Sequence, residues 1–278
     1  MKNFFVAGLL CLSSFSWAHE RFMLPSHTLL SGDAPQTVTV LASISNDIFH
    51  PDRPLGDNFE SDSVGDLKPL FDVLRSQHIT SIGEPTAGPR WRAFTRYSVA
   101  DWSLKSSGTH RLTLMQPEVR FTTFTSPDGS YGRRFGVNPK LPIGVTNIVK
   151  RASTSRVETF ASLNDITFAA VKPQAQGLAL SGSSHPNDLF VGEAAQFQLF
   201  YDGEPIASEV KIVRGGTRHR NARQEIKVET NTHGSFEFTP EHAGFYLIIA
   251  NHAVEQPQEA DIDVKHYGLM LTLEVFPQ

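Results

Sequence analysis

The sequence predicts an all-β fold, in the form of two Ig-like or carboxypeptidase-regulatory-like β-sandwich domains in tandem. Three observations carry that expectation. Apolar residues recur with period two, Gly, Pro, Asn and Asp separate the runs, and one turn-plus-strand pattern occurs twice. Val38 and Val40 alternate with Thr37 and Thr39, and Phe197, Leu199 and Tyr201 alternate with Gln196, Gln198 and Phe200. Ile226 and Val228, then Phe236 and Phe238, then Leu269, Leu271, Leu273 and Val275 continue the pattern of half-buried strands. Pro127-Asp128-Gly129 and Asp202-Gly203 are turn sequences. No stretch of twelve residues keeps a helical stripe; Leu67 to Arg75 reads as a short helix or, through Phe71 and Val73, as a strand.

The repeated pattern sets the expected division. Leu29-Leu-Ser-Gly-Asp-Ala-Pro-Gln36 aligns with Leu189-Phe-Val-Gly-Glu-Ala-Ala-Gln196, and each leads into an alternating strand. Each is later followed by a glycine that turns the chain into another core strand, at Gly108 to Leu112 and Gly244 to Leu247. The expected organisation is a leader over 1–18, a first sandwich over 19–125, a connecting segment over 126–176 and a second sandwich over 177–278. The stretch from Ser126 to Arg156, rich in Gly, Pro and basic residues, reads as a long connection.

The leader has the layout of a secretory signal peptide. Lys2 is its positive end, Phe4 to Leu12 its apolar stretch, and Ser16-Trp17-Ala18 a small-x-small cleavage site that makes His19 the first mature residue. The apolar run is too short to span a bilayer, and no later run is longer. The expected location is therefore a Gram-negative periplasm, with no membrane span once the leader is removed. Cys11 is the only cysteine, so the mature chain is expected to hold no disulfide and to depend on its core, to which 20 Phe residues contribute. Without Lys2 the chain has 24 basic and 29 acidic residues, a net charge of −5. Neither charge nor motif supports nucleic-acid binding. Arg214, Arg218, Arg220 and Arg223 cluster beside His219, as an anion site or a solvated hairpin loop.

Several stretches taken together resemble one family. They are His19-Glu-Arg-Phe-Met-Leu-Pro25, Ser45-Asn-Asp-Ile-Phe49 with Pro51-Asp52, Arg156-Val-Glu-Thr-Phe160, His185-Pro-Asn-Asp-Leu-Phe190, Arg214-Gly-Gly-Thr-Arg218 and Leu271-Thr-Leu-Glu-Val275. The combination, spread over nearly the whole mature chain, is similar to the periplasmic DUF4198 family, which is related to nickel-transport accessory subunits. The resemblance implies an export signal, a β-sandwich or carboxypeptidase-regulatory-like C-terminal domain, and an association with metal uptake. Relatives in transport complexes carry a membrane anchor that this sequence lacks, a departure that weakens the reading of a transporter subunit.

Enzyme templates fail on the residues. Met23 stands where a zinc-protease motif starting at His19-Glu20 needs its second His, and there is no Gly-x-Ser-x-Gly elbow, phosphate loop or dinucleotide fingerprint. The histidines carry the metal expectation. A processed His19 offers its α-amine, with a pKa near ~7.7, and a ring nitrogen for one ion, and a second imidazole from His27 or His185 completes a copper-like site. An ordinary first residue with a solvated His27 explains the same sequence. Asn46-Asp47 and Asn187-Asp188 read as Asx turns at strand starts. Tyr131, Arg133, Arg134 and Phe135 read as a partner-binding loop or a plain solvated one.

The expected function is a soluble, non-catalytic periplasmic binding or accessory protein handling copper, nickel or cobalt, with an envelope or transport protein as partner. The alternative is a metal-independent interaction module that binds an envelope protein or a glycan; a hydrolase is the third class.

Overall fold

The computed structural model describes residues 20–56 and 74–278; the leader, His19 and most of the Leu67 to Arg75 segment lie outside them. Among the described residues there is no α-helix, only a 3-10 turn at Thr217–His219. The first half contains β1 (Glu20–Pro25), β2 (Leu29–Leu30), β3 (Gln36–Ser45), β4 (Arg53–Pro54), β5 (Arg75–Ile79), β6 (Pro85–Ala87), β7 (Arg92–Ala93), β8 (Ser98–Leu104) and β9 (Gly108–Thr125). Two strands follow, β10 (Tyr131–Phe135) and the 18-residue β11 (Thr146–Leu163). The second half contains β12 (Leu178–Gly182), β13 (Ala195–Tyr201), β14 (Glu204–Pro205), β15 (Glu209–Arg214), β16 (Ile226–Glu229), β17 (Ser235–Phe238), β18 (Gly244–Glu255) and β19 (Val264–Val275).

These strands form three sheets. A ten-stranded sheet runs β16-β15-β18-β19-β11-β9-β5-β6, with β10 along β9 and β2 along β11. A five-stranded sheet (β1-β3-β8-β7, with β4 on β3) and a four-stranded sheet (β12-β13-β14, with β17 on β13) complete the fold. Side-chain alternation assigns the large sheet to both cores. Val157, Val213, Leu247, Ile249 and Met270 join Phe22, Met23, Val38, Val40 and Trp102 in the first core. Their neighbours Phe160, Ile212, Ile248, Leu269 and Leu271 join Leu180, Phe197, Leu199, Phe236 and Phe238 in the second. Successive side chains point to opposite faces, so one sheet serves both sandwiches, with the two smaller sheets on opposite faces. This explains the unbroken apolar run Tyr246-Leu-Ile-Ile-Ala250, buried throughout.

The echo in the sequence has a structural counterpart. Its two copies lead into β3 and β13, one in each outer sheet, and the glycines at 108 and 244 open β9 and β18 of the shared sheet. The connecting segment differs from expectation. Residues 126–176 contain β10 and β11, and β11 pairs antiparallel with β9 and parallel with β19, so it joins the two halves. The start of β11 shows no alternation because neither core covers it; Thr146, Ile148, Val149 and Thr154 carry the strand preference instead.

Candidate functional site

A cleft of about 270 Å³ opens on the first-core face of the shared sheet. Its floor continues the core rows outward. Ser153 and Ser155 precede Val157 on β11, and Glu209 and Lys211 precede Val213 on β15. Asn251 and Ala253 follow Ile249 on β18, and His266 and Gly268 precede Met270 on β19. Polar residues thus replace apolar ones along the same face. Gly268 keeps the floor open: a Cβ there would lie 3.3 Å from Ser155 Cβ and 3.6 Å from Asn251 Oδ1.

Arg21 reaches this floor from β1, which Phe22 and Met23 anchor in the first core. Its Nη1 donates to Ser155 Oγ at 2.6 Å and to Gln116 Oε1. Gln116 is positioned by an irregularity in the β9–β11 pairing between Ser153 and Ser155, beside Pro117. Both acceptors are neutral. Burial pulls the guanidinium down to about 10, which leaves it charged at neutral pH. Among the described residues no carboxylate lies within 4 Å of it; neighbouring Glu20 pairs with Arg223 at 3.2 Å. Lys211 Nζ, also at the cleft, stands 3.7 Å from Glu209 Oε1. His266 Nε2 accepts from Arg151 Nη1 at 2.9 Å, which assigns the ring proton to Nδ1. Burial, then Arg151, lowers the His266 pKa and keeps the ring neutral. The cleft therefore combines a half-buried cation with hydroxyl, amide and imidazole groups and the Glu209–Lys211 pair, beside the apolar Ile249 and Met270.

Of the expected metal ligands, His27 and His185 are described, and they differ in exposure and bonding. His19 is outside the described residues. His27 is exposed, its Nδ1 3.1 Å from Ser26 Oγ. His185 is buried, and both its ring nitrogens are engaged: Nδ1 accepts from the Asn187 N–H, and Nε2 is 3.1 Å from both Thr109 Oγ1 and the Thr167 carbonyl. Asn187 Nδ2 donates to the Thr28 carbonyl at 3.2 Å and to Ser162 Oγ at 3.0 Å, so it ties distant strands together instead of serving only a local turn. Among the described residues no group of three or more His, Cys, Asp and Glu side chains is placed to hold an ion. The arginine cluster is partly committed to its own loop: Arg220 donates to the carbonyls of Arg214, Gly215 and Arg223. Sequence reasoning missed Arg21. It stands inside the His19-to-Pro25 motif, but nothing in that motif shows that its charge lacks an acidic partner.

Fold and cleft together define an all-β sandwich protein with a polar cleft on its shared sheet. The chain belongs to the DUF4198 family, a domain of unknown function, whose model matches residues 16–254. No functionally curated protein matches it. Among solved structures, it is similar to a DUF4785 family protein from Legionella pneumophila at 10% identity and a TM-score of 0.27. That match covers 86% of this chain and 53% of the other, so the chain spans about half of that protein's length. Trypsin-activated alpha-2-macroglobulin from Escherichia coli matches at 9% identity and a TM-score of 0.24, over 94% of this chain and 16% of that one. The tandem V-type regions of VCBP3, a v-region-containing chitin binding protein, match at 8% identity and a TM-score of 0.19, over 90% and 98%. At these scores the likenesses carry no functional argument.

Proposed function

We propose that this protein is an exported, non-catalytic binding protein of the cell envelope whose cleft takes a small organic carboxylate. The observation that carries the reading is Arg21, a half-buried arginine with neutral partners, at the edge of a cleft floored by Ser153, Ser155, Asn251 and Gly268. A carboxylate presents two oxygens that match the guanidinium fork and supplies the missing negative charge. The apolar Ile249 and Met270 suit a short aliphatic portion. The export leader in the sequence supports an envelope location.

The test is calorimetric titration of the processed protein with acetate, lactate, succinate, citrate, glutamate and inorganic phosphate. At least one carboxylate should bind and emerge chemically unchanged, and at 100 times its Kd it should stabilise the fold by about 2.7 kcal/mol. Arg21→Gln should weaken that binding by roughly tenfold or more. Failure of every carboxylate to bind, or equal binding by the Arg21→Gln variant, overturns the proposal.

Transition-metal handling is the second reading. The exposed imidazole of His27, eight residues from the expected processed terminus, supports it, as does the family's relation to nickel uptake implied by the sequence resemblance. Copper, nickel or cobalt would then be held by the His19 amine and ring with His27, and an envelope transport protein would be the partner.

A further inference from the structure

The far ends of β9 and β11, with β10 beside them, form an arm outside both sandwiches. Between Leu114 and Val157 no residue belongs to either core. The arm has a small packing centre of its own. Phe121 and Phe124 are buried, the Arg133 guanidinium lies 5.7 Å from the Phe121 ring and 5.3 Å from Phe135, and that of Arg134 lies 5.9 Å from Phe124. At Gly132 a Cβ would collide with the Phe124 ring, so the chain runs directly against that side chain.

The outer surface of the arm is unlike the rest of the molecule. Of the eleven exposed large hydrophobic residues described, five fall between residues 131 and 148: Tyr131, Phe135, Val137, Ile143 and Ile148. Ile143 is 98% exposed, in the loop Asn138-Pro-Lys-Leu-Pro-Ile-Gly144. The chain as a whole has a net charge of −4, yet residues 127–150 contain Arg133, Arg134, Lys140 and Lys150 against Asp128 alone. Lys150 is held by Asp261 at 3.1 Å; Arg133, Arg134 and Lys140 are exposed among the apolar residues.

Aromatic and aliphatic side chains interleaved with cations, on a narrow loop-bearing arm, match the chemistry of a bilayer interface. Apolar groups there enter the headgroup–acyl boundary while basic groups meet lipid phosphates. A protein partner would be better served by one flat, contiguous patch than by residues spread along a hairpin and its loop. We propose that this arm docks the protein on an anionic phospholipid surface, with Ile143 and its apolar neighbours entering the interface and Arg133, Arg134 and Lys140 holding the headgroups.

Co-sedimentation with extruded vesicles tests it, using the processed full-length chain. Vesicles of phosphatidylcholine with one-third phosphatidylglycerol should carry the protein down, and phosphatidylcholine alone should not. High salt should release it, because each basic residue near the surface is worth about fivefold in affinity. Ile143→Asp should lower binding about tenfold or more with an unchanged Tm, since its side chain lies outside both cores. The double variant Arg133→Glu with Arg134→Glu should lose anionic-vesicle binding. Arg21→Gln should bind vesicles normally, which separates this inference from the carboxylate cleft. Lack of binding to anionic vesicles, or undiminished binding by Ile143→Asp, overturns it. So does a concentration-dependent dimer abolished by Ile143→Asp, which would make the arm a contact between two copies.

Discussion

Two arginine sites lie against the central sheet, and they compensate a cation drawn away from water in opposite ways. Arg111 and Arg156 flank Glu158, with Arg111 Nη1 3.8 Å and Arg156 Nη1 3.6 Å from its two carboxylate oxygens. Thr113 Oγ1 donates to Glu158, and Arg156 also donates to the side chain of Gln174 and the carbonyl of Gln176. All three charged side chains are nearly inaccessible to water. Arg21 is half-buried and has only neutral acceptors. The first cluster has a counter-charge within the chain and serves the scaffold; the second has no described carboxylate within 4 Å, and it lies at a cleft.

The largest expected effect breaks the first cluster. Glu158→Gln leaves two buried guanidiniums facing each other without a counter-charge, at a cost of about 3–5 kcal/mol. By differential scanning calorimetry Tm should fall by roughly 10 °C or more. Arg21→Met removes a cation that no acid compensates, so its stability should change by less than about 1 kcal/mol in either direction. If the two variants lose equal stability, the distinction between scaffold charge and ligand charge fails.

A smaller effect sharpens the claim for the cleft. Gly268→Ala changes no charge but places a methyl group 3.3 Å from Ser155 Cβ in the floor. Carboxylate affinity in the calorimetric titration should drop about tenfold, with Tm nearly preserved. Equal affinity would mean that the ligand does not enter as far as the floor.

What the sequence makes legible divides along the same line. Half-buried strands such as β3 and β13 show themselves through alternation, because each has one apolar face, whereas β19, which alternation also marks as half-buried, buries Met270 and Thr272 on its other face. The first part of β11 does not, since no core covers it, and the residues between Ser126 and Arg156 read as a connection although β10 and much of β11 lie there. That one sheet serves two cores is hidden for a related reason: period two says that a face is buried, not against what. Arg21 and the His78–His110 pair were missed because their meaning depends on partners brought from distant strands. The arm residues Tyr131, Arg133, Arg134 and Phe135 stand out in the sequence, but their exposure and packing depend on the fold.

The buried histidines give a comparison of their own. His110 donates from Nε2 to the Ser106 carbonyl at 2.9 Å, so its Nδ1 accepts from His78 Nε2, also at 2.9 Å. Burial, then His110 and Lys105, pushes His78 down to about 4 from an ordinary 6.5. Burial also lowers His110 and His185. Between those values the unfolded chain binds the proton and the folded one does not. The stabilisation is therefore complete above about pH 6.5 and is lost as pH falls toward 4. Tm should decline over that window, and His78→Gln should flatten part of the slope. An identical slope for the variant would show that His78 does not set it.

The smallest effect concerns the metal reading and contrasts an exposed imidazole with a buried one. His27 is available to an ion that reaches the amino terminus, whereas binding at His185 would require breaking its bonds to Asn187, Thr109 and Thr167. Copper(II) is the ion to use, because it heads the divalent affinity order and favours nitrogen ligands. With chains processed to His19, His27→Ala should weaken copper binding several-fold, and one extra residue ahead of His19 should weaken it further. His185→Ala should leave copper affinity unchanged and lower Tm, because it removes a hydrogen-bonded core side chain and strands its partners. Since almost any exposed His binds copper weakly, the informative measurement is the difference between these chains, read by competition titration and electron paramagnetic resonance. If His185→Ala lowers copper affinity and His27→Ala does not, the buried ring opens to the ion and the contrast is reversed. If neither variant nor the extended terminus differs from the parent, His27 is a solvated side chain and the cleft at Arg21 is the binding site that remains.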